Sequence, residues 1–184
     1  MMIHKELNVA FLMGPRTASR SLEAALGKRL DFERVGAHHH GPGGMVSRAE
    51  DYDPSCRYFT VVRNHWDTIV SWAFKERELT LLSQIDLAWL VQFINNNPGY
   101  FRPGGLWWFL RECPRLCVLR YENLEAEFAA ALRAVGLGEA PPLMRINEGY
   151  KRLHYRHHLS DECARWIAKA FREEIALLGY EFGG

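Results

Sequence analysis

Hydroxyl and guanidinium side chains are concentrated directly after the first apolar run of the chain, in Pro15-Arg-Thr-Ala-Ser-Arg-Ser21. The apolar residues 7–13 predict a buried strand, and the pattern over residues 19–30 predicts a helix. A polar loop between a strand and a helix N-terminus can bind a phosphate through backbone N–H groups. Arg16 and Arg20 add positive charge, so we expect an anion site here.

The loop differs from a nucleotide triphosphate loop in two positions. Ser19 and Arg20 stand where that loop has its second glycine and its lysine. The predicted strands end in Met13, Arg63 and Arg120, so none ends in a carboxylate that could bind magnesium. A small-molecule kinase of the P-loop type therefore has weaker support, and an ordinary turn without a ligand is the other alternative.

A second cluster of anion-binding residue types follows the strand predicted over residues 58–62. Arg63 leaves the end of this strand, Asn64 is placed to cap a helix, and Ser71 lies eight residues after Arg63. A guanidinium and a hydroxyl could hold one phosphate from two directions. The alternative is a strand-end arginine that pairs with a surface carboxylate.

The elements that must position these residues alternate between strands and helices, which predicts an α/β fold with a mainly parallel sheet covered on both faces. Ligands in such folds bind at the carboxyl ends of the strands, which is where both clusters lie. Further strands are predicted over residues 32–37 and 116–119. Further helices are predicted over residues 64 onward, 79–95, 106–112, 124–135 and from Ser160 to the end, and loops over residues 38–57 and 138–150.

Length and composition limit the remaining possibilities. The 184 residues predict a single domain, residues 1–184, and the net charge of +1 argues against a strongly basic nucleic-acid binder. The four cysteines include no CxxC pair, which favours a reducing, cytoplasmic setting. No stretch has the character of a signal peptide or a membrane span, so we expect no membrane insertion.

Four motifs in order resemble the sulfotransferases that use 3′-phosphoadenylyl sulfate (PAPS). The first loop stands where that family has Pro-Lys-Thr-Gly-(Ser/Thr)-Thr-Ser, and Arg63-Asn-His65 with Ser71 is similar to its Arg-(Asp/Asn)-Pro motif with a later serine. Val118-Leu-Arg-Tyr-Glu-Asn-Leu124 and the closing segment, residues 159–182, resemble the family's strand-to-helix segment and the end of its carbohydrate sulfotransferases. The resemblance implies a three-layer α/β/α domain with a loop like the P-loop.

The resemblance also implies a role for each matching residue. Arg16 would stabilise the leaving group, Arg63 and Ser71 would bind the 3′-phosphate of PAPS, and adenosine 3′,5′-bisphosphate (PAP) would be the product. A basic segment before the last helix would close over the nucleotide, with Tyr155 or a nearby aromatic on the adenine. The implied cofactor-binding residues are Arg16, Thr17, Ala18, Ser19, Arg20, Ser21, Arg63, Ser71, Lys151 and Arg152. No metal is required.

The predicted base is a histidine, because the acceptor hydroxyl must lose a proton and imidazole accepts one near neutral pH. We favour His38 or His40, which would share a face if the strand continues, whereas His39 would point away. A solvated loop and a metal site are the alternatives for these three residues.

The acceptor is expected to be a small molecule or an oligosaccharide, because the closing segment resembles carbohydrate sulfotransferases. Trp107, Trp108 and Phe109 could line its groove, although core packing is the commoner use of such a cluster. Ala18 replaces a glycine, which should restrict backbone approach and a positive φ. Together with Arg20, it keeps open a non-catalytic relative that binds an anionic sugar or a nucleotide.

Overall fold

The computed structural model describes residues 1–14, 16–35, 53–77, 84–97, 113–144, 146 and 153–183. Within them the chain forms five strands and six α-helices, so it is an α/β protein as predicted. Short 3₁₀ helices cover Tyr121–Asn123 and Tyr155–His158. The strands are β1 (Met2–His4), β2 (Val9–Leu12), β3 (Glu33–Arg34), β4 (Arg57–Val62) and β5 (Leu116–Arg120), and the helices are α1 (Ser19–Arg29), α2 (His65–Arg77), α3 (Leu87–Asn96), α4 (Leu124–Ala134), α5 (Asp161–Ala170) and α6 (Arg172–Leu178).

The sheet is mainly parallel, since four of its five strands run in the same direction and β1 runs against both of its neighbours. Its order is β3-β1-β2-β4-β5, in which β2, β4 and β5 run parallel. β1 pairs antiparallel with both β2 and β3. In the turn between β1 and β2, Asn8 has φ 50° and its amide donates to the Lys5 carbonyl oxygen. The sequence analysis missed β1, because three residues are too few to show a period of two.

The contacts between residues group the chain into two compact units, and each unit is built from two separate segments. The first unit comprises Met1–Arg63 and Phe109–Ile146, and the second comprises Asn64–Trp108 and Asn147–Gly184. The expectation that the chain is one domain stays a prediction. None of the described helices has the length and the apolar character that a membrane crossing needs.

The core of the first unit lies between one face of the sheet and the helices α1 and α4. Phe11 of β2 stacks on Phe59 of β4 with ring centroids 4.8 Å apart, and Phe128 of α4 meets Phe11 edge-on at 5.8 Å. Leu26 of α1 and Leu132 of α4 are fully buried in the same cluster. Replacing such a buried phenylalanine by alanine costs about 3–5 kcal/mol, so this cluster fixes the strand ends firmly.

The second unit is helical, with a core formed by α2, α3 and α5. Trp66 of α2 is buried and its indole Nε1 donates to the Ala164 carbonyl oxygen at 2.9 Å. Both predicted caps are present: Asn64 Oδ1 accepts from the amide of Trp66, and the Ser160 hydroxyl accepts from the amide of Cys163. One prediction is wrong here, because the single last helix is two helices that meet at Phe171 (φ −114°, ψ 24°).

The other boundaries differ by smaller amounts. Of the helix predicted over residues 79–95, residues 79–83 lie outside the described part. The described helix begins at Leu87, because the Asp86 carboxylate accepts from the amide of Trp89 and caps it there. The strand predicted over residues 32–37 is reduced to Glu33–Arg34, and residues 36–37 lie outside the described part. The helix predicted over residues 106–112 also lies outside it.

Candidate functional site

The loop between β2 and α1 is a tight turn held by its own groups. The Thr17 hydroxyl donates to the Gly14 carbonyl oxygen at 2.8 Å, and both residues are buried. A Cβ on Gly14 would lie 3.2 Å from Thr17 Oγ1 and 3.6 Å from the Val61 carbonyl oxygen of β4. A side chain at position 14 would therefore push against the hydroxyl that closes the turn, which explains the glycine.

Two residues of this turn have a left-handed backbone although neither is glycine. Arg16 has φ 61°, and Ala18 has φ 59° and ψ 26°. Ala18 adopts a positive φ although glycine was expected to be needed there, so its Cβ makes this conformation costly without preventing it. Left-handed residues with a Cβ cost about 1–2 kcal/mol each and persist only where the surrounding structure holds them.

The N-terminus of α1 has neither a side-chain cap from Ala18, the residue before the helix, nor an acidic residue in its first turn. Each of the other five described α-helices has an acidic residue in its first turn or, in α3, the carboxylate cap of Asp86. The positive end of the α1 dipole is thus left for an anion from elsewhere. The predicted residues around it are half-buried (Arg16, Ala18, Ser19), exposed (Arg20) or buried (Thr17, Ser21).

Arg63, the member of the second cluster that belongs to the first unit, contacts this turn. Its guanidinium Nη1 donates to the Arg16 carbonyl oxygen at 2.8 Å, and its Cζ lies 4.1 Å from the centroid of the Tyr121 ring. The two predicted anion-binding elements of the first unit therefore meet at the carboxyl ends of the neighbouring strands β2 and β4. The contact with Arg16 also means that one of the Arg63 donors serves the protein rather than a ligand.

Tyr121 is a residue of this site that the sequence analysis did not single out. The parallel register pairs Val62 of β4 with Arg120 of β5, so Arg63 and Tyr121 are the next residues along the two strands. The signal was present, because an aromatic residue follows β5 at the same level as the arginine that follows β4. It could be read only once the register was known.

Ser71 belongs to the second unit, where it lies on α2 with its side chain 5% exposed. The prediction that it binds the same phosphate as Arg63 stays a prediction. The asparagine that starts α2 is also tied to its own unit, since Asn64 Nδ2 donates to the Tyr155 hydroxyl at 3.2 Å and to the Glu181 carbonyl oxygen at 3.4 Å.

Tyr155 does not fit the adenine-stacking role. Its side chain is buried in the core of the second unit, and its hydroxyl accepts from the amide of Gly183 at 2.7 Å as well as from Asn64. Because the ring is enclosed by protein, neither of its faces is open for stacking with adenine. The buried hydroxyl holds the end of the chain to the start of α2.

His65, which stands where the resembling family has proline, makes a contact that the sequence did not reveal. Its Nε2 lies 2.9 Å from Glu174 Oε2 of α6, and both side chains are largely buried. The His65 ring also packs on Phe171 at 5.0 Å. The substitution thus gives α2 a polar link to the last helix, in which the carboxylate accepts the imidazole N–H.

Several predicted site residues lie outside the described part of the chain: His38, His39, His40, Trp107, Trp108, Phe109, Lys151 and Arg152. Within the residues that the structure covers, no three His, Cys, Asp or Glu side chains come together as a metal site would need. Comparison with protein-family models, curated proteins and solved structures gives no match to this chain. The resemblance to sulfotransferases therefore stays a prediction from the four motifs.

Proposed function

We propose that this chain is a sulfotransferase that moves a sulfuryl group from PAPS to a hydroxyl of a carbohydrate acceptor. The hydrogen bond from Arg63 to the Arg16 carbonyl oxygen carries the proposal. It brings Arg63, which would bind one phosphorylated end of the donor, to the loop that would bind the other, and both follow parallel strands at their carboxyl ends. The carboxylate-free N-terminus of α1 gives further support, because it suits an anion without a metal.

The proposed roles follow from the position of each group. The backbone amides at the start of α1, with Arg16 and Arg20, would bind the 5′-phosphosulfate. Arg63, together with Ser71, would bind the 3′-phosphate, and Lys151 and Arg152 would cover the nucleotide. This assignment includes a three-layer α/β/α domain in which the loop of residues 15–21 acts like a P-loop. From the cysteine pattern and the net charge of +1 we also propose a cytoplasmic location and no nucleic-acid partner.

The chemistry is a direct displacement at sulfur. The acceptor oxygen forms a bond to sulfur while the bond between sulfur and the bridging oxygen of PAPS breaks. The electron pair of that bond stays on the bridging oxygen, so PAP leaves with the added negative charge. The Arg16 guanidinium would stabilise this charge, and the acceptor proton would pass to the imidazole of His38 or His40.

The first experiment measures PAP binding by calorimetry in the absence of metal. We expect PAP to bind the wild-type chain, and Arg63→Ala to weaken binding about 10–100-fold, because a hydrogen bond to a charged group is worth about 1.5–3 kcal/mol. Arg57→Ala is the matched control, since Arg57 begins the same strand and donates to the Ala134 carbonyl oxygen. It should leave the affinity unchanged.

A second ligand separates the two phosphate sites. Adenosine 5′-phosphate lacks the 3′-phosphate. Arg63→Ala should therefore weaken its binding less than it weakens that of PAP, because only PAP also loses a direct contact with the guanidinium. Equal losses would contradict the assignment of Arg63 to the 3′-phosphate. Binding of ATP with Mg²⁺ more tightly than PAP would favour the kinase alternative.

Turnover is tested with labelled PAPS and a panel of sugar acceptors. Sulfate transfer that is lost in the His38→Ala/His40→Ala double variant, with PAP affinity kept, supports a histidine base. PAP binding without transfer to any acceptor would indicate the non-catalytic relative instead.

A further inference from the structure

Both the face and the edge of the Arg63 guanidinium are held by the first unit. The Tyr121 ring covers one face at 4.1 Å, well inside the distance at which an arginine and an aromatic face attract each other. The Tyr121 ring itself packs against the core of the first unit, and this packing holds the ring in position. In the guanidinium plane, Nη1 points at the Arg16 carbonyl oxygen.

The Arg16 carbonyl belongs to one of the two left-handed residues of the turn. Arg16 has φ 61°, a backbone conformation that a residue with a Cβ rarely adopts without help. The hydrogen bond from Arg63 joins β4 to this residue across 47 positions of the sequence. A guanidinium that could rotate would make this bond only part of the time, because arginine loses considerable side-chain entropy when it is held.

We propose that Tyr121 is a positioning residue for the anion site, acting through Arg63 on the backbone of Arg16. The ring holds the guanidinium in the one orientation that keeps Arg16 left-handed, and so keeps the start of α1 open to an anion. That the anion is a donor nucleotide rests on the proposed function, whereas the support that Tyr121 gives to the turn does not.

Two substitutions at position 121 separate the ring face from mere bulk. Tyr121→Phe keeps the aromatic face, and Tyr121→Leu keeps apolar volume without it. Val135→Ala is the control for lost stability, because Val135 packs against the same core. If Tyr121 only stabilised the fold, Tyr121→Leu and Val135→Ala would differ in melting temperature but would give the same cleavage ratio and the same PAP affinity.

The first measurement needs no ligand. The trypsin concentration is raised until the wild-type chain is cut after Arg16. The measured quantity is the cleavage ratio, which is the rate of cleavage after Arg16 divided by the rate after Lys5, an exposed residue of the same unit. Cleavage reports how often the turn opens when opening is fast. We expect Tyr121→Leu to raise the ratio on the order of tenfold, with Tyr121→Phe and Val135→Ala within about twofold.

Arg63→Lys is the second test of the same link and covers the case in which Tyr121→Leu does not fold. Lysine keeps the charge but lacks the planar fork that stacks on a ring and donates in its plane. The cleavage ratio should rise as it does for Tyr121→Leu. An unchanged ratio in both variants would overturn the proposal, and so would a phenylalanine variant that behaves like leucine.

The second measurement is PAP affinity in the same variants. Tyr121→Leu should weaken PAP binding on the order of tenfold, whereas Tyr121→Phe and Val135→Ala should not. If wild-type protein binds no PAP, the proposed function fails while the trypsin ratio still decides the role of Tyr121. If PAP binds equally well to all variants, Tyr121 does not position the site.

Discussion

Ala18→Gly is the change that tests the backbone geometry of the loop most directly. Ala18 has φ 59° and ψ 26°, so its Cβ costs about 1–2 kcal/mol that glycine would not. Two losses oppose this gain. Glycine adds about 0.4–1 kcal/mol of unfolded-state entropy, and the half-buried methyl group contributes about 0.4 kcal/mol. The expected net gain in the free energy of unfolding is about 0.4 kcal/mol.

A control in the same helix makes the small gain measurable. Ala24 is also half-buried, but it lies inside α1, where its backbone is helical. Ala24→Gly has the same unfolded-state and methyl losses without any relief of strain, so it should lower the free energy of unfolding by about 1 kcal/mol. The shared terms cancel in the comparison, which leaves a difference of about 1.5 kcal/mol between the two variants.

The assay is urea and thermal unfolding of both variants beside the wild-type chain. In a chain of this length, 1.5 kcal/mol corresponds to a separation of about 3–6 °C in melting temperature. If Ala18→Gly destabilises the protein as much as Ala24→Gly does, Ala18 is not left-handed in solution and the description of the turn is wrong. PAP affinity measured in parallel tells whether the methyl group also limits the approach of the anion.

Two further predictions concern groups away from the loop. Burial raises the pKa of Cys56 to about 11 and that of Tyr58 to about 12, so the folded state keeps protons that the unfolded chain releases. This contribution to stability is complete below about pH 9 and is lost as the pH rises to about 12. Urea unfolding at several pH values should therefore show a steady fall in the free energy of unfolding over this range. Tyr58→Phe should make that fall shallower, and an unchanged slope would count against the burial of Tyr58. Tyr155→Phe removes the hydroxyl that accepts from Asn64 Nδ2 and should lower the free energy of unfolding by about 1–3 kcal/mol, whereas an unchanged melting temperature would place that hydroxyl in water.

Local signals predicted the elements that carry the candidate site. The apolar runs predicted β2, β4 and β5 to within about two residues. For β2 and β4 the reason is that a strand buried on both faces needs a continuous apolar sequence. The caps Asn64 and Ser160 could be predicted because a cap acts within three residues of the chain. Strand β1 was not predicted and strand β3 was predicted too long, because three and two residues are too few to show a strand pattern.

Contacts between distant residues could not be read in this way. Glu174 lies 109 positions from His65, and many other carboxylates in the chain could have faced that ring. Tyr155 shows the same limit from the other side, because its residue type suits both a nucleotide face and a buried hydroxyl. Only the packing of the second unit decided between them.

The sequence by itself determined where the charges that could bind an anion lie along the chain, and that they follow strand ends. Residue types and the alternation of apolar runs with helix caps suffice for this, since both act over a few residues. The tertiary structure decided that Arg63 supports the Arg16 carbonyl and lies against Tyr121. The physical reason is the register of β4 and β5, which depends on how the whole sheet packs and which no short segment encodes.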